Sequence, residues 1–211
     1  MHYFYLHGFA SSPQSAKARS LRDRFARRAI DLKVIDLNQR DFSHLTLTRQ
    51  LQQVGDILPQ TPATLIGSSF GGLSAAWLGQ RYESVERLVL LAPAFQFLSH
   101  WLPTLGARSR QQWQATGYLP IYHYGEGRSL PLHYEFVRDL QQYRETDLQR
   151  PVETLILHGK GDRVIPIQAS RDYARSRDWV QLLELDSNHT LGNAIEVIWK
   201  NIQQFCYLDA D

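Results

Sequence analysis

Residues 67–71 read Gly67-Ser68-Ser69-Phe70-Gly71, directly behind the apolar run Ala63-Thr64-Leu65-Ile66. Glycines two positions before and two after a serine leave room for a buried strand to bend sharply into a helix. At such a bend the serine side chain is pushed out at the strand tip. There it stands beside helix N–H groups that can stabilise an anion. Ser69 is therefore a candidate nucleophile, whereas Ser68 lacks a glycine at both offsets. The pentapeptide alone would also fit an ordinary strand-to-helix turn. A hydroxyl is a weak nucleophile at neutral pH and needs a base, usually a histidine steadied by a buried carboxylate.

In a parallel sheet all strand C-termini share one edge, so the partners should follow other strands. Behind the apolar run at 153–157 comes His158-Gly159-Lys160-Gly161-Asp162, and behind that at 180–185 comes Asp186-Ser187-Asn188-His189. Asp162 is the candidate acid and His189 the candidate base. Asp186 is a rival acid, but three residues from His189 on the same loop it is better placed to bond local backbone. The chain order Ser69, Asp162, His189 is the one found in α/β-hydrolases. Attack on an acyl carbon creates an oxyanion that needs preorganised donors. The backbone N–H groups of Phe70, next to the nucleophile, and of Phe9, in the loop His7-Gly8-Phe9 after the first apolar run, are the candidates. His7 and His158 are read as structural.

The elements that must position these groups alternate in type. Short apolar runs at 3–6, 33–37, 63–66, 87–91, 153–157 and 180–185 read as strands. Amphipathic stretches at 13–28, 45–58, 70–80 and 166–177 read as helices, the first opening on Ser12 as cap with Pro13 behind it. Leu191, Ile195, Ile198, Ile202 and Phe205 form one apolar face of a last helix. This alternation predicts an α/β fold, a mostly parallel sheet of about six strands flanked by helices, as one domain over 1–211. Residues 96–150 break the rhythm. They are rich in aromatics, prolines and glycines and read as an insertion of short helices and loops.

Bulk composition excludes little. The 211 residues, 43% hydrophobic and 21% charged with net charge +2, suit one soluble domain and favour no particular macromolecular partner. A single cysteine, Cys206, forbids an internal disulfide and is expected to be a packing residue in a reducing compartment. The opening residues lack a basic start and a cleavable apolar stretch, and the longest apolar run, 88–95, is far too short to span a bilayer. A cytoplasmic protein is expected.

With these residues assembled, the chain resembles the α/β-hydrolase superfamily over nearly its whole length. Its opening, Leu6-His7-Gly8-Phe9-Ala10-Ser11-Ser12-Pro13-Gln14-Ser15-Ala16-Lys17-Ala18, is similar to that of the small bacterial esterases of the YqiA/YcfP-like family. So are the bend Gly67-Ser68-Ser69-Phe70-Gly71-Gly72 and the pair Asn188-His189. The resemblance implies a hydrolase sheet beginning at the strand that carries the oxyanion loop. It also implies a carboxylesterase or acyl-thioester hydrolase that uses no cofactor. Two features depart from that pattern: the 96–150 insertion, and Asp186-Ser187 where small glycines are expected.

The expected reaction is therefore hydrolysis of a small-molecule ester or thioester through an acyl-enzyme. Other acyl or carbon–carbon cleavage and perhydrolysis use the same triad, and a binding protein on the same scaffold is a further alternative. The insertion reads equally as an apolar cap or as packing onto the sheet; Trp101, Leu105 and Tyr122 are its candidate substrate contacts. His123 and His133 lack the partners a metal site needs, and no metal is expected. Lys17, Arg19, Arg22, Arg24, Arg27 and Arg28 crowd the first helix. They read as a solvated face, or as attraction for an anionic substrate such as an acyl-coenzyme A. No nucleic-acid-binding motif accompanies them.

Overall fold

A computed structural model describes residues 1–208. Six strands form one sheet: β1 (His2–Leu6), β2 (Leu32–Ile35), β3 (Ala63–Ser68), β4 (Val85–Leu91), β7 (Glu153–Gly159) and β8 (Val180–Leu185). They lie in the order β2-β1-β3-β4-β7-β8, and every neighbouring pair is parallel. The chain leaves β1 in one direction to make β2 and returns on the other side as β3. The order thus reverses between β1 and β3, whose following loops lead to opposite faces of the sheet, the position at the carboxyl edge where open α/β sheets bind ligands.

Both faces of the sheet are covered, so its strands are apolar on both sides. Alternation along β1 sends Tyr3 and Tyr5 to one face, Phe4 and Leu6 to the other. The first face meets α1 (Ala16–Ala26) and α8 (Ile195–Phe205) through Leu21, Phe25, Ile198 and Ile202, and Cys206 is buried beside them. The second face meets α2 (Leu47–Gly55), α3 (Phe70–Arg81) and α7 (Ile167–Ala174). Helix α3 runs through the middle, buried from Phe70 to Gly79.

Between β4 and β7 the chain builds α4 (Phe97–Trp101), α5 (Ala107–Thr116), the antiparallel pair β5 (Tyr118–His123) and β6 (Arg128–His133), and α6 (Glu135–Leu140). The hairpin corrects the expectation of helices and loops alone. Pro120 and Pro131 suggest breakers, yet they stand directly opposite each other in the ribbon. Prolines can hold a directly opposed position where the ladder needs no N–H from either, the non-hydrogen-bonded pair. Trp113 of α5 is fully buried, and its indole N–H donates to the Leu132 carbonyl 2.8 Å away, tying helix to hairpin. The Tyr124 N–H donates to the Ala10 carbonyl at 2.8 Å, bringing the hairpin turn onto the loop after β1.

Three helix starts differ from their expected positions. Helix α1 begins at Ala16 rather than behind Ser12, because the Ser15 hydroxyl accepts from the Ala18 N–H and Ser12–Ser15 closes a turn before it. A short 3₁₀ turn, Phe42–His44, precedes α2, whose cap is Thr46. Leu191 is buried but left-handed, φ 54°, and stands one 3₁₀ turn ahead of α8 rather than inside it.

Candidate active site

Ser69 is the residue between β3 and α3, at φ 53° and ψ −119°. This backbone conformation is strained for any side chain with a Cβ. The bend is fixed by its backbone bonds: Ser69 N–H donates to Leu91 O at 2.9 Å, and Ser69 O accepts from Gly72 N–H at 2.8 Å and Ala94 N–H at 3.0 Å. It also requires bare backbone. A methyl at Gly71 would stand 2.2 Å from the Leu6 carbonyl oxygen, and one at Gly67 would stand 2.3 Å from the Gly71 carbonyl oxygen.

Three loops, after β3, β7 and β8, converge here. His189 Nε2 lies 2.9 Å from Ser69 Oγ, and His189 Nδ1 lies 2.6 Å from Asp162 Oδ2. An ionised carboxylate can only accept, so Nδ1 carries the proton and the Nε2 lone pair is free to face the serine hydroxyl. The loops brace one another: Gly161 N–H donates to Ser187 O at 2.9 Å. Asp186 is exposed on that second loop, and its backbone carbonyl accepts from Asn193. Asp162, not Asp186, meets the imidazole.

Asp162 is closed off from solvent, and burial alone would raise its pKa. Hydrogen bonds from His158 and His189, the charge attraction of His189 and the Ile165 N–H outweigh that and hold the carboxyl well below the usual range. Oδ1 accepts from Val164 N–H at 2.8 Å and Ile165 N–H at 2.9 Å. Oδ2 accepts from His189 and, at 3.0 Å, from His158 Nε2. His158 thus belongs to this cluster. Its spacing of four residues before the acid is the only signal the sequence carried.

The loop after β1 lies against Ser69. A methyl at Gly8 would be 3.3 Å from Ser69 Cβ. The next residue's N–H, that of Phe9, donates to no protein acceptor among the described residues. Phe70 is the first residue of α3, where the N–H has no partner within the helix. The Phe9 ring packs among Phe42, Phe70, Phe97, Trp101 and Phe136, with centroids 5.1–6.1 Å away. Trp101 therefore stands over the loop after β1. Leu105 packs on the same core but farther along the insertion. Tyr122 is 53% exposed and meets Tyr124 edge-on.

The basic first helix is divided in use. Arg24 pairs with Glu196, and Arg28 donates to Leu208 O at 2.8 Å. Lys17 turns the other way and donates to Thr190 O at 2.8 Å, next to His189. Burial pushes its ammonium down to about 8, with the Asp162 charge acting in the opposite direction. His123 and His133 serve their own turns, accepting from Glu126 and Glu135 N–H.

The parallel sheet order, the bend at Ser69 and the loops meeting it define the α/β-hydrolase fold. Solved structures agree in fold. Esterase Est1E from Butyrivibrio proteoclasticus, with ferulic acid bound, is 18% identical with TM-score 0.78, over 97% of this chain and 87% of its own. Mouse alpha/beta hydrolase domain-containing protein 10 is 18% identical with TM-score 0.78, over 99% and 90%. Esterase Pf2001 of Pyrococcus furiosus is 15% identical with TM-score 0.62, over 98% and 82%. Within this class the chain belongs to the uncharacterised protein family UPF0227, whose model matches residues 2–206.

Proposed function

We propose that this protein is a serine hydrolase that cleaves carboxylic esters or acyl thioesters through an acyl-enzyme. The observation that carries the reading is the unbroken chain Ser69 Oγ, His189 and Asp162, with links of 2.9 and 2.6 Å. Ser69 Oγ attacks the acyl carbon as His189 Nε2 takes its proton. The imidazolium formed is stabilised by Asp162, which stays ionised throughout. The Phe9 and Phe70 N–H groups receive the oxyanion. His189 then protonates the departing alcohol or thiol. Water, deprotonated by the same nitrogen, releases the acid and restores Ser69.

The 96–150 insertion acts as a cap in this reading. Its rings over Phe9 form an apolar roof that excludes water from the acyl group. The esterase names of two structural neighbours are consistent with this reaction.

The test joins labelling to turnover. A fluorophosphonate probe should modify Ser69, and a panel of p-nitrophenyl esters and acyl-coenzyme A thioesters of graded chain length should be hydrolysed. Ser69→Ala should lose the label and on the order of 10⁴–10⁶ in kcat. Equal turnover by the Ala variant, or absence of label on the wild type, refutes the reading.

A further inference from the structure

The mechanism leaves one imidazole at the site without a task. His158 is wholly buried in β7, the strand that delivers Asp162. Its Nε2 faces two groups that can only accept, Asp162 Oδ2 and the Ile165 carbonyl, each at 3.0 Å. Nε2 therefore carries a proton. Nδ1 meets the hydroxyl of Ser170 on α7 at 2.7 Å, which fixes the ring from behind. Both the His158 and the Asp162 side chains are fully shielded, so water cannot replace the donor.

The two imidazoles on Oδ2 differ in freedom. His189 sits on a loop and is 19% exposed. It must gain and lose a proton and release its hydrogen bond to Ser69 during each turnover. His158 is clamped by a strand, a helix hydroxyl and a carbonyl. The main-chain donors on Oδ1 hold one carboxylate oxygen; without a second hold the carboxylate could still swing Oδ2 away from His189. Orientation errors of this size at a catalytic group cost rate rather than ground-state binding.

We propose that His158 is a positioning residue for Asp162, its Nε2–H keeping Oδ2 aimed at His189 throughout the proton cycle. This rests on the serine-hydrolase reading above.

Two amide side chains separate the ring's roles. The amide of Gln reaches about as far as Nε2, that of Asn about as far as Nδ1. His158→Gln should keep the hold on Asp162; His158→Asn should keep only the Ser170 contact. Steady-state kinetics on the best ester should show kcat about 10²-fold lower for His158→Asn, with KM within about 3-fold. His158→Gln should stay within about 5-fold in kcat. Ser170→Ala, a milder change should His158→Asn fail to fold, should lower kcat by about 5-fold at unchanged KM.

The NMR resonance of the proton between His189 and Asp162 gives a readout independent of turnover. It should shift or broaden in His158→Asn and persist in His158→Gln. Full kcat in His158→Asn or, should it fail to fold, in Ser170→Ala overturns the proposal. So do parallel losses of kcat and melting temperature in the Asn and Gln variants. If the resonance behaves as expected while the wild type cleaves no ester or thioester and takes no probe, the positioning stands and the reaction assignment falls.

Discussion

At Ser69 the chain accepts backbone strain to present a hydroxyl. A non-glycine residue at positive φ in so sparsely populated a region costs about 1–3 kcal/mol, and Ser69 is held there by Leu91, Gly72 and Ala94. Ser69→Gly removes the strain along with the nucleophile. It should therefore melt at or above the wild-type temperature in calorimetry while losing all turnover; a clearly lower melting temperature would show that the strain is absent. Ser69, Asp162 and His189 were legible in the sequence as a group because each follows a strand run and only one sheet edge can gather them. His158 was not. Its hydrogen bond exists only once the turn 159–161 folds back, and a histidine directly behind an apolar run looks like any buried ring. Lys17 was hidden similarly: its partner is 173 positions away, and nothing separates it from the other cations of its helix.

Among the elements, strands and central helices were readable because buried strands are short apolar runs and α3 follows the glycine pattern directly. The insertion was not, since its hairpin hides behind facing prolines and its order depends on long-range ties. One tie is Glu145, just before β7, whose carboxylate accepts from the Gln96 N–H at 2.6 Å and holds the left-handed start of α4. Burial pushes its carboxyl up to about 7, against the Gln96 hydrogen bond and the Arg177 charge. Between the ordinary carboxylate range and that value the folded chain binds a proton the unfolded chain has lost. The contribution of Glu145 is thus complete at low pH and fades as pH rises through about 7. Glu145→Gln keeps the acceptor without the charge. It should equal the wild type in urea stability at pH 4 and exceed it at pH 8 by about 2 kcal/mol. A difference that does not vary with pH would contradict this.

Over the whole molecule, the sheet separates two apolar layers that carry different duties. One contains α3, the helix behind Ser69, and continues into the insertion through Phe97, Trp113, Leu132 and Phe136. The other, formed by α1 and α8, contains none of Ser69, Asp162 and His189. Damage to the insertion should therefore reach both stability and turnover. Trp113→Ala removes a fully buried indole together with its hydrogen bond to the Leu132 carbonyl. It should cost about 3–5 kcal/mol in denaturant unfolding, whereas Trp113→Phe, which keeps most of the volume, should cost about half as much. Equal losses would mean that the indole hydrogen bond, rather than the filled space, dominates.

The second layer also contains the single thiol. Cys206 is 5% exposed, and burial pushes it up to about 12, so the reactive thiolate is scarce in the native fold. Alkylating agents should therefore leave turnover untouched at neutral pH. A chromogenic disulfide reagent should react only as fast as α8 detaches, giving one built-in clock for opening events on the face of the sheet opposite α3.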